Sequence, residues 1–554
     1  MTITRVSVDS AGNQAIGSSF FDIPSISANG RFVAFESKAS NLVPGDTNNT
    51  YDIFVRDLST NSTTLVSVDS AGNQGNEASL AASISADGRF VAFRSFATNL
   101  VPGDTNNLSD IFVRDLLTNT TTRVSVDSAG NQQNDRSFTP SISGDGRFVT
   151  FSSFASNLVS GDTNNNEDIF VRDLLTNTTT LVSVSSSGDR ANDYSEFPSI
   201  SANGRFVAFR SFATNLVPGD TNNKGDIFVR DLLTNTTTLV SVSSNGDRAN
   251  ISSSSGSISA NGRFVAFSSL ADNLVSDDTS FSGDIFVRDL STNTTTRVSV
   301  DSAGNQGNRT SYTPSISADG RFVTFSSDAS NLVPGDTNNK KDIFVRDLST
   351  NTTTRLSVDS TGNQGNSDSQ LPSISANGEK VAFSSLAANL VPGDTNNSPD
   401  FFVADTGNTP SSINNSPNNI NGTPGNDNLT GIPGNDIING LRGNDILNGG
   451  GGNDNLSGGK GFDTLNGGLG NDILVGGLGN DVFVLGTGLG IDTISDFANG
   501  QDTIQLINGL TFGQLSISPG TNGTLIRVAS SNEVLAALTG VAPNLIGIED
   551  FVSV

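Results

Sequence analysis

The chain has no cysteine, no histidine and no tryptophan among its 554 residues, and only one methionine. Without cysteine there is no disulfide framework and no thiolate chemistry. Without histidine there is no Ser-His-Asp or Cys-His arrangement and no zinc-histidine centre. No apolar run reaches 18 residues, so no transmembrane helix is expected. Positive charge is scarce as well: 30 Lys and Arg face 56 Asp and Glu, a net charge of -26. That imbalance disfavours nucleic acid and anionic membranes, and it favours a cationic partner or bound metal. The opening MTITRVSVDS lacks the basic-then-apolar layout of a cleaved signal peptide.

What the chain does have is repetition at two periods. Seven nine-residue units run without a gap from Asn421 to Phe483: NGTPGNDNL, TGIPGNDII, NGLRGNDIL, NGGGGNDNL, SGGKGFDTL, NGGLGNDIL and VGGLGNDVF. Each places an aspartate at the same point: Asp427, Asp436, Asp445, Asp454, Asp463, Asp472 and Asp481. The Gly-rich half of a unit can turn tightly, because glycine accepts positive φ at little cost, and it leaves backbone carbonyls uncovered. The apolar half, such as Ile446-Leu447, can form a very short strand with one residue pointing inward. If two units make one coil, aspartates 18 residues apart stack, so Asp427 lies over Asp445 and Asp463 over Asp481. Stacked carboxylates repel, and a cation between them removes the repulsion. Calcium, which takes 6–8 oxygen ligands in flexible geometry, suits such a site better than magnesium. From Asn421 onward there are 13 acidic and 3 basic residues, as expected of a segment that folds on a cation.

These units resemble the RTX, or haemolysin-type, calcium repeat of secreted bacterial proteins, with its G-G-x-G-x-D pattern followed by an apolar residue. The resemblance implies Ca2+ as cofactor. The metal-site residues it points to are the seven aspartates and the glycines Gly425, Gly434, Gly443, Gly452, Gly461, Gly470 and Gly479. It also implies an extracellular location reached by type I secretion, with an uncleaved C-terminal signal in the acidic-then-apolar tail Glu549–Val554. In the first three units Thr423, Pro424, Ile432, Pro433, Leu441 and Arg442 replace the usual small residues, which weakens the ion sites at that end. Beyond the units, Asp492, Asp496 and Asp502 are further candidate ligands, in a segment that resembles those closing many RTX rolls.

The longer period is 58 residues. Gly-Arg-Phe begins at Gly30, Gly88, Gly146, Gly204, Gly262 and Gly320, with Gly378-Glu379-Lys380 in the seventh copy. Asp-Ile-Phe-Val begins at Asp52 and recurs at the same step, ending as Asp-Phe-Phe-Val at Asp400. One copy holds four strand candidates: Pro24–Ser27, Phe32–Phe35, Ile53–Val55 and Thr64–Val68, with Asn29-Gly30 as a two-residue hairpin signal. Four antiparallel strands in each of seven copies describe a β-propeller. The outer-strand motif stands alone at Ile3–Val8 and is missing after the last copy, so the N-terminal strand is expected to complete blade seven. The unit resembles the TolB-type propeller repeat, Ser27-Ala28-Asn29-Gly30 replacing Ser-Pro-Asp-Gly.

The expected architecture is all-β: a seven-bladed propeller over 1–405, a spacer over 406–420, a parallel β-roll over 421–483, and a β-rich cap with the secretion signal over 484–554. One helix is expected near Asn532–Leu538. Within the propeller, Asp46 and Asn48 with Asp52 form either an additional calcium loop or an Asx-turn with Asp52 paired to an arginine. The recurrent arginines at Arg31 and Arg56 either bind anions or make ion pairs. The loops around Gln74–Ala78, Arg190–Tyr194 and Arg309–Tyr312 differ most between copies and are candidates for a ligand face.

No catalytic motif is found, so no enzyme is expected. The leading function is a secreted calcium-binding protein whose propeller meets an extracellular protein, glycan or cell surface, with a monomer expected. The alternatives are a polysaccharide hydrolase or lyase working through paired carboxylates on the propeller, and a structural surface or matrix protein.

Overall fold

The computed structural model describes residues 2–553 apart from 18–22, 280–281, 408–417, 432–434, 452, 487–489, 508–509, 521 and 530–532. Two compact units divide the chain, Met1–Asn408 and Thr409–Val554. Among the described residues the only helical segments are three short 3-10 turns, at Phe512–Gln514, Pro543–Leu545 and Ile548–Asp550.

The first unit is a propeller of seven four-stranded sheets. Blade two shows the plan, with strands Ser79–Ile84, Phe90–Ser95, Asp110–Asp115 and Thr120–Arg123 paired in that order. Apolar residues stand on both faces of the middle strands because each blade is covered on both sides. Ala34, Ile53 and Val55 of blade one share a core with Val91, Phe93 and Phe112 of blade two. Within that core Phe93 and Phe112 stack at 5.9 Å. Ile3–Arg5 pairs antiparallel with Asp400–Asp405 and completes blade seven. The ring also closes through its turns: Ala28 N–H donates to Ala86 O, and Ala376 N–H donates back to Ala28 O, both at 3.0 Å.

The turn at Asn29-Gly30 is not the two-residue hairpin read from the sequence. Only Gly30 has positive φ, and its N–H donates to Ser27 O, so the connection is a wider turn ending on glycine. Asn29 instead accepts from Arg31 N–H and Ser27 Oγ. The glycine is required for space as well as for conformation. At Gly146 (φ 74°) a Cβ would enter the Phe90 ring of the preceding blade. Gly146→Ala is expected to destabilise the propeller by about 2–4 kcal/mol, combining positive-φ strain with overpacking. A denaturant midpoint with unchanged slope measures it.

The recurrent arginines make ion pairs and hydrogen bonds. Arg31 forks onto Asp57 at 2.9 and 2.7 Å, and the pair recurs through Arg321–Asp347. Arg89 and its bonds hold Asp115 down to about 2 despite an opposing burial effect. Arg56 is buried and donates to Asp9 O, Thr63 Oγ1 and Asn61 Oδ1. The two series therefore serve separate partners. In blade seven Lys380 takes over the first role by pairing with Asp405.

The second unit is a parallel solenoid with strands on two faces. Strands pair with those 18 residues on: Leu429 lies beside Leu447, and Leu447 beside Leu465. One apolar residue per unit points inward: Ile438, Leu447, Leu456, Leu465, Leu474 and Phe483 are fully buried. Their neighbours Ile446 and Ile473 face solvent. The solenoid outruns the nonapeptides at both ends. Asn418–Asn421, which takes in the last three residues of the expected spacer, is a strand beside Asp436–Arg442. Thr406, at the spacer's start, is buried and bonds to Gly378 O of blade seven. The remainder of the spacer, 408–417, lies outside the described residues.

The helix expected near Asn532–Leu538 is a strand, Val534–Thr539. It pairs parallel with Asp492–Ile494 and antiparallel with Gly523–Val528. A segment this short cannot nucleate a helix on propensity alone, and the solenoid edge offers it a full set of backbone partners. It buries Leu535, Ala536 and Leu538 over the end of the core.

A carboxylate column as candidate calcium centre

From Asp445 onward, each nonapeptide aspartate uses one carboxylate oxygen to cap the aspartate of the preceding coil. Asp427 N–H donates to Asp445 Oδ1 at 2.8 Å, Asp445 N–H to Asp463 Oδ1 at 2.8 Å, and Asp463 N–H to Asp481 Oδ1 at 2.9 Å. On the other face Asp436, Asp454 and Asp472 follow the same rule at 2.8 Å. The columns end on Asp492, which accepts from Asp472 N–H at 3.2 Å, and Asp502, which accepts from Asp481 N–H at 2.9 Å. Both belong to the ladder although their spacing breaks from nine. Asp502 Oδ2 also accepts from Ala498 N–H, so both its oxygens are engaged. Asp496 stands outside the ladder and accepts from Gly476 and Gly477 N–H, at 2.9 and 2.8 Å.

The second oxygen is the informative one. Oδ2 of Asp445, Asp454, Asp463 and Asp472 is buried and has no hydrogen-bond partner. Burial pushes Asp454 and Asp492 up to about 7 and Asp481 to about 6, and raises Asp463, Asp472 and Asp502. Like-charged neighbours add to the rise at Asp454, where Asp436 and Asp472 stand above and below. A buried anionic oxygen without a donor is a strong demand for a cation or a proton.

Four of the glycines read from the sequence do the turning. Gly443, Gly461, Gly470 and Gly479 have positive φ, and a Cβ on Gly461 would strike Gly443 O. Gly425 lies in the first turn without positive φ, and Gly434 and Gly452 lie outside the described residues. A second glycine series went unread. Gly440, Gly449 and Gly458 each precede an aspartate by five residues, and a Cβ there would press on the unpartnered Oδ2 and on a glycine carbonyl of the next coil. These glycines keep open the space beside the orphaned oxygen. The asparagines of Gly-Asn-Asp also went unread: Asn426 Oδ1 accepts from Asn444 N–H and Asn444 Oδ1 from Phe462 N–H, a ladder in the opposite sense. Their recurrence in six of the seven units was the available signal.

This donor set fits a hard divalent cation. It offers anionic and carbonyl oxygens, with no nitrogen or sulfur, beside a space that only glycine leaves open. Among the described residues no three acidic side chains converge, so backbone carbonyls would have to complete the coordination. Bound Ca2+ would supply charge neutralisation to Oδ2 and cross-link adjacent turns.

The second candidate loop resolves differently. Asn48 Oδ1 accepts from Thr50 N–H, an Asx-turn, and Asn48 Nδ2 donates to Asp52. Gln74 Nε2 bridges Asp46 and Asp52 at 2.7 and 2.9 Å. Burial still lifts Asp52 to about 6. In the other six blades an arginine reaches this carboxylate pair from one of two places. Arg5, Arg123, Arg297 and Arg355 come from the outer strand; Arg190 and Arg248 come from the loop position that is Gln74 in blade one. Where the arginine sits on the strand, the loop carries glutamine; in blades three and four the strand carries leucine instead, Leu181 and Leu239. Blade one has Leu65 and Gln74, and so neither arginine.

The fold and the columns define a β-propeller followed by a carboxylate-laddered solenoid. Residues 414–447, 421–456 and 448–483 match the family described as RTX calcium-binding nonapeptide repeat (4 copies). That segment therefore consists of RTX calcium-binding repeats. No curated protein matches the chain. Similar solved structures include TolB from Acinetobacter baumannii (17% identity, TM-score 0.33, covering 55% of this chain and 59% of that one). Another is a putative TolB from Agrobacterium tumefaciens (16%, 0.32, 50% and 80%). A third is the β-propeller domain of the Trilobed protease from Pyrococcus furiosus (14%, 0.41, 66% and 89%). The chain thus spans 59% of the length of the first. No helix is long and apolar enough to cross a membrane among the described residues.

Proposed function

We propose that this is a secreted, non-enzymatic calcium-binding protein, whose roll folds on Ca2+ outside the cell and carries a propeller that binds an extracellular ligand or surface. The observation that supports it best is the column of buried, unpartnered carboxylate oxygens beside glycine-cleared space. Those anions keep the roll unfolded where calcium is scarce, as export through a narrow channel requires. They fold it where calcium is abundant, with affinities on the order of 10⁻⁴–10⁻³ M for such modules. The propeller supplies a rigid platform of seven four-stranded blades for that binding.

Equilibrium dialysis of the full chain against millimolar Ca2+ tests the metal half of this reading. Several ions per chain are expected, with the count reduced in Asp445→Asn/Asp463→Asn. No bound calcium would overturn it.

A further inference from the structure

In seven near-identical repeats, the positions that differ are informative because the frame around them is fixed. The differences gather where the inner strand of each blade begins. Leu80 faces Arg94 across blade two, Phe138 faces Ser152 across blade three, and Glu196 faces Arg210 across blade four. The residue after the second strand is Phe96, Phe154 and Phe212 in blades two to four, but Lys38 in blade one and Asp328 in blade six. The residue before Asp-Ile-Phe-Val is Tyr51, Glu167, Gly225 or Lys341 in different blades. Backbone bonds tie these positions together: Ser79 N–H to Tyr51 O at 2.8 Å, Phe96 N–H to Ala78 O at 2.9 Å, and Ser195 N–H to Glu167 O at 2.7 Å. The variable positions are therefore one continuous surface. Ten large apolar or tyrosine side chains are exposed among the described residues of the propeller, and six lie on that surface: Ile23, Tyr194, Phe197, Leu270, Tyr312 and Leu386.

Blades two to four give the surface a distinct chemistry. The Arg94 guanidinium lies 4.6 Å from the ring centroids of both Phe96 and Phe138. Phe138 meets Phe154 edge-on at 6.0 Å, and Phe154 meets Tyr194 at 6.1 Å. Further along, Arg210 lies over Phe212 at 4.5 Å and pairs with Glu196 at 2.9 Å. The result is a line of half-buried rings flanked by planar donors and acceptors, with Arg210 and Glu196 matched in charge.

Resting on the reading that the propeller binds an extracellular ligand, we propose that this strip binds a polysaccharide of low net charge, laid across the inner-strand ends of blades two to four. A sugar ring has an apolar C–H face and a rim of hydroxyls. Tyr194 and its neighbouring rings take the face. Arg210 and Glu196 supply a donor and an acceptor for the hydroxyls. A strip built for a polyanion would leave its arginines free to meet it, whereas here Arg210 is tied to Glu196, Arg136 to Asp135, and Arg94 lies against the Phe96 and Phe138 rings. A protein partner would be met by a central apolar cluster within a polar rim, not by a single file of rings.

The test uses the full chain in calcium against cello-, xylo-, chito- and manno-oligosaccharides and alginate, read by calorimetry. Binding of at least one neutral oligosaccharide is expected, with alginate bound no more tightly. Tyr194→Ala, at a side chain 45% exposed and outside the core, should weaken binding about tenfold or more. Leu270→Ala, on the same surface in blade five, should leave it unchanged. Failure of every neutral oligosaccharide to bind, or binding indifferent to Tyr194→Ala, overturns the proposal. A protein ligand sensitive to Tyr194→Ala, with no sugar bound, also overturns it while leaving the broader ligand-binding reading intact.

Discussion

Replacing Arg355 with leucine is expected to destabilise the propeller by about 1–3 kcal/mol, less than breaking a buried pair usually costs, because Gln364 can bridge the two carboxylates as Gln74 does in blade one. Adding Gln364→Arg to the same chain is expected to restore most of that loss. Arg355 stands 3.2 Å from Asp336 and 3.6 Å from Asp342, and Asp342 is fully buried. Burial already lifts Asp342 to about 6, with Arg355 opposing the rise. Removing the guanidinium leaves two adjacent carboxylates with only amide, hydroxyl and backbone donors. The rescue follows from blades three and four, where Arg190 and Arg248 reach the same pair from the loop while the strand carries leucine. Denaturant midpoints of the three proteins measure the effect. A double variant no more stable than Arg355→Leu would show that the two placements are not equivalent.

In the absence of calcium, the roll is expected to be more stable in mild acid than at neutral pH. Asp454 and Asp492 are raised to about 7 and Asp481 to about 6, against 3.8 in the unfolded chain. A carboxylate raised in this way holds its proton more tightly when folded. The stability it contributes is complete below about pH 4 and is lost as pH rises through 6 to 7. The loss is on the order of a few kcal/mol per aspartate, and the members of one column are coupled. Calcium reverses the sign, because it holds the same groups ionised and competes with protons for them. Calorimetry of the full chain in chelator should show a roll transition at pH 4.5 that is missing at pH 7.5, and added calcium should restore it at pH 7.5. A roll equally stable at both pH values without calcium would contradict the burial of these anions.

The two periods made most of the architecture legible. Nine residues with one inward apolar position dictated coils of 18, so the aspartate columns followed from spacing alone. The displaced strand at Ile3–Arg5 disclosed ring closure before any contact was known. What stayed hidden depended on which atoms face each other. Sequence shows that Gly440 is glycine, but not that its missing Cβ borders Asp445 Oδ2. It shows arginine at 123 and 190, but not that strand and loop converge on equivalent acidic pairs. Val534–Thr539 misled because local propensity pointed to helix, while an open sheet edge far away in sequence decided the outcome. Asp496 lies apart from the ladder, with both carboxylate oxygens accepting from the Gly476 and Gly477 amides, a placement that spacing alone does not give.

Hydrogen exchange of the full chain at pH 7.5, with and without calcium, is the most direct measurement of the central claim. The amides of Asp445, Asp454 and Asp463 donate to the next carboxylate in each column, so they report the ladder itself. Slow exchange at these amides with calcium and fast exchange without it is predicted, the propeller strands being protected in both. Equal protection in the two conditions would contradict a roll held together by a divalent cation.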